Sequence, residues 1–130
     1  MSVQDDVLAA AAAIVDNFGH HRTEAYFSGF SEDATFVFHT HTDILRSRTE
    51  YETLWSSWEN NDGFRVHGCT STHGAVTLIT ETSAVFTHLV ESSVEFAGEI
   101  STIHERETIV FALRGGSWLA VHEHLSPDAT

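Results

Sequence analysis

Two histidines spaced two apart on an extended chain point to the same side, so a strand can offer both imidazoles to one metal ion, one proton or one partner. The chain does this twice, with His39 and His41 in FVFHTHTD and His122 and His124 in AVHEHLS. Brought together on adjacent strands, the four would supply three or four nitrogen ligands of the kind zinc, nickel or copper takes. A plainer reading is a polar sheet face or half-buried subunit interface, in which the imidazoles are simply hydrogen-bonded. In that setting protonation near ~6.5 would load the interface with like charge and weaken it in acid. Cys69, between His67 and His73, is either a thiol nucleophile or a buried strand cysteine.

Composition removes several other chemistries. Without a lysine there is no Schiff base and no Walker-type phosphate loop, and G-x-S-x-G, G-x-G-x-x-G and H-E-x-x-H are absent too. A net charge of −13 repels phosphate backbones and anionic bilayers, so neither nucleic acid nor membrane is an expected partner of this acidic protein. With one cysteine the chain forms no internal disulfide, and a cytoplasmic location is expected. Its 130 residues suit one domain, 1–130, and the Ala-rich start follows two aspartates rather than a basic segment, unlike a signal peptide.

The elements that must position these residues are legible in outline. Apolar spacing predicts a helix from Asp5 to Phe18 with Gly19 as its cap, and a shorter one over Thr23 to Phe30. Ala34 to Thr42 reads as a strand. Thr49-x-x-Glu52 reads as a capping box for a third helix carrying Leu54, Trp55 and Trp58 and ending at Asn60 to Gly63. Strands follow over Phe64 to Thr80 (bent at Gly68 and Gly74), Ala84 to Glu91, Glu99 to Leu113 and Trp118 to Leu125. A loop is expected at Ser92 to Gly98, and Arg114-Gly115-Gly116-Ser117 as a hairpin turn. The fold class is therefore α+β: a strongly curved, mostly antiparallel, cone-shaped sheet wrapped around three N-terminal helices, with a pocket at its mouth.

SEDATFVF after two helices, then TEYETLW, then RETIVFALRGGSWLAVHEHLS, together resemble the SnoaL-like branch of the nuclear-transport-factor-2-like superfamily over residues 5 to 126. The ending is also similar to the association domain of calcium/calmodulin-dependent protein kinase. The superfamily contains isomerases, dehydratases, polyketide cyclases and plain oligomerisation modules. Carried over from ketosteroid isomerases, the general-base aspartate falls on Phe38 and the oxyanion tyrosine near Ile14, so steroid isomerisation is not implied. The pocket arginines of the kinase association domain fall on Leu125 and Ile109, so that anion site is not implied either.

The resemblance also orients the strands. It turns the Phe38 and Leu125 sides into a cavity lined by Ile14, Phe36, Phe38, Trp55, Ile109, Phe111, Leu119, Val121 and Leu125, and it leaves the four paired histidines on the outer face. Glu123 and Glu107 then point inward, where burial raises a carboxyl's pKa and makes a general acid or base. Tyr26 or His88 would hydrogen-bond a substrate oxygen. The alternative for Glu123 is a salt bridge to Arg106 or Arg46, or a solvated place on the rim. The expected function is binding of a small apolar molecule, with cofactor-independent acid–base chemistry (dehydration, isomerisation or cyclisation) as its catalytic form. A non-catalytic oligomerisation or ligand-binding module is the alternative, and metal binding by the histidines is a further one. No cofactor is implied, no residue is assigned to a metal, and the expected assembly is a homodimer through the outer sheet face.

Overall fold

The computed structural model describes residues 2–128. Helix α1 (Val3–Gly19) starts where the Ser2 side chain accepts a hydrogen bond from the Asp5 backbone N–H at 3.1 Å. Its first turn carries Asp5 and Asp6, favourable at the positive end of the helix dipole. Val7, Ala11 and Ile14 form the buried stripe, as their spacing predicts. Gly19 is not the cap; His20 is. The glycine serves close packing instead, because a Cβ there would sit 3.0 Å from the Cys69 backbone nitrogen and 3.2 Å from its Cβ. Helix α2 (Thr23–Ser28) is shorter than expected, and Phe30 already belongs to strand β1 (Phe30–Phe38).

Helix α3 (Arg48–Asp62) starts two residues earlier than the sequence suggested. Its cap is Ser47, which accepts from Glu50 N at 3.1 Å, while the Glu50 carboxylate accepts from Arg46 N at 3.0 Å. The arrangement is a variant of the capping box, the carboxylate reaching the N–H one residue before the cap, and Thr49 and Glu52 are not its members. Tyr51 and Trp55 consequently form the buried stripe, and left-handed Gly63 ends the helix.

Strands β2 (Arg65–Thr80), β3 (Ser83–Phe96), β4 (Glu99–Arg114) and β5 (Ser117–Pro127) form an antiparallel meander. β1 joins parallel to β5, giving the order β1-β5-β4-β3-β2. The loop expected at 92–98 is absent: β3 runs unbroken to Phe96, and only Ala97 and Gly98, at φ 52° and 81°, make the turn. Gly115 and Gly116, at 58° and 82°, turn β4 into β5 as predicted. β2 shifts register between Val66 and Gly68 and between Thr72 and Ala75, where the bends were expected. The free edge of β1 is covered by Leu45, which exchanges two backbone hydrogen bonds with Phe36.

One irregularity matters for the site. Val110 pairs with His122 but Phe111 pairs with Ala120, so Val121 is an extra residue in β5. A bulge of this kind reverses which alternate residues face inward. Ala120 is fully buried on one side of it and Glu123 on the other.

Candidate functional site: a carboxyl cluster in an apolar cavity

Between the helices and the concave side of the sheet lies a cavity of about 300 Å³, mostly apolar in lining. Ile14 and Phe18 of α1, Tyr26 of α2, Tyr51 and Trp58 of α3 and Phe38 of β1 contribute to its wall. β3 adds Val90, Ser92, Val94 and Phe96. Strands β4 and β5 bring three carboxyl groups to it, Glu105, Glu107 and Glu123.

Glu123 is only 2% exposed. In register it lies between Phe36 of β1 and Ile109 of β4, both fully buried, which explains its loss of water. Burial first, and then the negative charge of Glu107 and a hydrogen bond shared with that carboxyl, hold the Glu123 pKa well above the usual carboxylate range. Among the described residues its Oε2 has no hydrogen-bond partner. Neither Arg106 nor Arg46 reaches Glu123; Arg106 opens onto the other side of β4 beside Thr108 and His124. The salt-bridge alternative is thereby removed, and so is the solvated rim.

Glu107 is held from the side by His88, whose side chain is wholly buried. His88 Nε2–H donates to Glu107 Oε1 at 2.5 Å, leaving Nδ1 to accept from the Ser71 hydroxyl at 2.6 Å. His88 therefore does not line the cavity as a substrate contact; it orients a residue that does. Glu105 accepts from His39 Nε2 at 2.6 Å, and burial raises its pKa against the pull of that imidazole. The Tyr26 and Tyr51 hydroxyls are 3.0 Å apart and share a hydrogen bond, and burial drives both pKa values well up. Burial also lifts the Cys69 thiol to about 11, with Ser92 Oγ at 3.7 Å as its polar neighbour. A thiol held there is protonated at neutral pH and is no nucleophile.

Of the expected lining, Ile14, Phe38 and Leu125 reach the cavity. Phe36, Trp55, Ile109 and Phe111 are buried in the core without lining it. Leu119 and Val121 are half-buried and do not line it either, because the bulge at Val121 breaks the alternation that placed them beside Glu123. Glu123, Glu107 and Tyr26 meet at the cavity as expected. Tyr51, Glu105 and Ser92 were missed. Their signals were present: Tyr51 stands four before Trp55, Glu105 two before Glu107, and Ser92, Val94 and Phe96 alternate.

The four histidines do not converge. β1 ends at Phe38, so alternation does not carry to His39, whose imidazole turns to Glu105. His122 accepts from or donates to Thr35 Oγ1 at 2.7 Å and has its ring centre 6.3 Å from that of His124. Burial, and then the charge of His124, lower the His122 pKa. Among the described residues no group of three or more His, Cys, Asp or Glu is arranged to hold a metal ion. No helix among them is long and apolar enough to cross a membrane.

A family profile described as a SnoaL-like domain matches residues 7–130. Among solved structures, a nuclear transport factor 2-like protein from Cytophaga hutchinsonii is similar at TM-score 0.83 and 13% identity, covering 98% of this chain and 100% of that one. A ketosteroid isomerase-like protein from Erwinia carotovora atroseptica is similar at TM-score 0.80 and 15% identity, covering 98% and 97%. The association domain of the Caenorhabditis elegans (C. elegans) calcium/calmodulin-dependent protein kinase II is similar at TM-score 0.72 and 18% identity, covering 94% and 93%. No curated protein matches.

Proposed function

The chain belongs to the SnoaL-like domain family, and since that fold does not select a reaction, we propose from the site itself that the cavity binds a small, largely apolar molecule and carries out acid–base chemistry on it. One observation carries the reading: a fully buried carboxyl, Glu123, lines an apolar cavity with one oxygen unsatisfied. Leaving a buried acceptor unpaired costs roughly 1–3 kcal/mol, a cost that a ligand or a reacting proton can offset.

In this reading Glu123, kept protonated by burial, is the general acid. Glu107, oriented by His88, is its counterpart base. For a dehydration, the leaving hydroxyl would take the Glu123 proton and depart as water while the adjacent C–H proton passes to Glu107 and the C=C bond forms. Isomerisation or cyclisation uses the same two proton transfers. A Tyr26 or Tyr51 hydroxyl supports a substrate oxygen.

Native mass spectrometry of the untagged protein as purified identifies any retained organic mass, whose conversion is then compared in wild type and Glu123→Gln. Turnover by wild type that the variant loses, with the compound still bound, is the expected result. Equal conversion by both proteins refutes the catalytic half and leaves a binding module. That second reading is favoured by the likeness to association and hub domains of calcium/calmodulin-dependent kinases. In either case we place a homodimer contact on the outer face of the sheet, and the same spectrum reads its subunit number.

A further inference from the structure

The charges around the cavity are unequal in a way that selects its ligand. Glu105, Glu107 and Glu123 line it, but none of the arginines does, and the chain has no lysine. Arg22 is paired with Asp16 and Arg114 with Asp33, while Arg48 donates to the Phe30 carbonyl and faces Glu52. Arg46 and Arg65 are exposed. Glu107 has His88 and Glu105 has His39, but Glu123 Oε2 has no partner among the described residues. The cavity is thus richer in acceptors than in donors: the Tyr26 and Tyr51 hydroxyls share one hydrogen bond, which leaves one O–H between them for a ligand oxygen.

A ligand that brought only acceptors, such as a carboxylate or phosphate, would meet the carboxyls of Glu105 and Glu107 and a protein at −13, with no cationic side chain in the lining to hold it. A purely hydrocarbon ligand would leave Glu123 Oε2 as unsatisfied as before. Around the carboxyls stand the rings of Phe18, Tyr26, Phe38, Tyr51, Trp58 and Phe64. Aromatic faces attract a desolvated cation.

We propose that the cavity takes an organic ammonium, a compact apolar amine whose N–H groups donate to Glu123 and whose hydrocarbon lies among the aromatic rings. This rests on the cavity-binding reading above and names its ligand class. No covalent bond to carbon or nitrogen changes. Glu123 is neutral in the empty cavity, so when an amine enters as its cation the carboxyl ionises to form the pair and one proton leaves to solvent. The titratable groups that face Glu123 are Glu105 and Glu107 of β4, Tyr26 of α2, Tyr51 of α3, Cys69 of β2, His88 of β3 and His39 beyond β1.

Isothermal titration with cyclohexylmethylamine, cyclohexylmethanol and cyclohexanecarboxylate, one hydrocarbon with three head groups, tests this directly. The amine should bind at least about tenfold tighter than the alcohol, a difference of about 1.4 kcal/mol. The carboxylate should not bind. Repeating the amine titration in buffers of different ionisation enthalpy should show close to one proton released per amine bound. Glu123→Gln should bring the amine-to-alcohol ratio near one. That variant changes the net charge by only one from −13, so a preference that came from overall charge would survive it. An alcohol that binds as tightly as the amine, or a ratio unchanged in the variant, overturns the ammonium assignment while leaving the cavity reading standing. If none of the three probes binds, the cavity reading falls and this inference falls with it.

Discussion

Replacing Glu123 with glutamine should make the protein more stable, and by an amount that depends on pH in a defined way. The amide keeps the carboxyl's shape and offers its NH2 to Glu107, but it cannot ionise. Burial and Glu107 raise the folded-state pKa of Glu123, whereas in the unfolded chain it titrates near ~4.3. A group with a raised folded value holds its proton in the native state after the unfolded chain has lost it. Its contribution is therefore intact below ~4.3 and drains away as pH rises toward the folded value. Glu105, also raised by burial, is present in both proteins, so its own titration cancels from the difference. Variant and wild type should match near pH 4. The variant should then gain about 1.4 kcal/mol for each pH unit above that, levelling off once the folded value is passed. For a chain of this size each kcal/mol moves the thermal midpoint by about 4 °C. Urea unfolding of both proteins at half-unit steps from pH 4 to 9 reads the whole curve, and its plateau measures the Glu123 pKa. Parallel curves, or a variant less stable at pH 8, would show that Glu123 is solvated or paired and would refute the argument for a buried acid.

Three further outcomes are expected. His88→Phe strips Glu107 of its buried donor and should cost roughly 2–3 kcal/mol in urea unfolding, whereas His67→Ala, at the exposed pair with Glu95, should change stability by less than about 0.5 kcal/mol. Cys69, with its thiol at about 11, should react with iodoacetamide at pH 7.5 roughly a hundredfold more slowly than an ordinary cysteine and recover the ordinary rate in urea. Gly19→Ala should destabilise by about 1 kcal/mol or more, as overpacking against Cys69 outweighs alanine's better helix propensity. Gly68→Ala, with open space around it, should leave the melting temperature nearly unchanged.

The periodic elements were legible because their signals are local. The α1 stripe, the two glycine turns and the bends of β2 all stood where residue types put them. Parity on β1 was also correct as far as Phe38. Errors arose where a non-local feature overrode a local rule. Nothing in WLAVHEH announces that Val121 is skipped by the β4 ladder, and that single skip separates Leu119 and Val121 from the cavity while leaving Glu123 in it. Thr49-x-x-Glu52 satisfies the capping pattern as well as Ser47-x-x-Glu50 does, and it is Ser47 that caps the helix. His39 was placed outward by extending a strand past its end. Its attachment to Glu105, 66 residues away, is a product of the folded sheet.

The parallel seam between β1 and β5 has a kinetic consequence. Thr35 and His122, hydrogen-bonded across it, are 87 residues apart in the chain, so this pairing closes the longest loop in the sheet and its entropy must be met before contact rewards it. Until β5 docks, β1 has only local backbone partners among the described residues, Leu45 at Phe36 and His41 at Phe38. Glu123 travels on β5, so the step that closes the sheet also carries a carboxyl out of water. Closure therefore takes up a proton whenever the chain is folding above the free carboxyl's pKa. Refolding should quicken as the solution is made mildly acidic, its rate following the protonation of a single side chain.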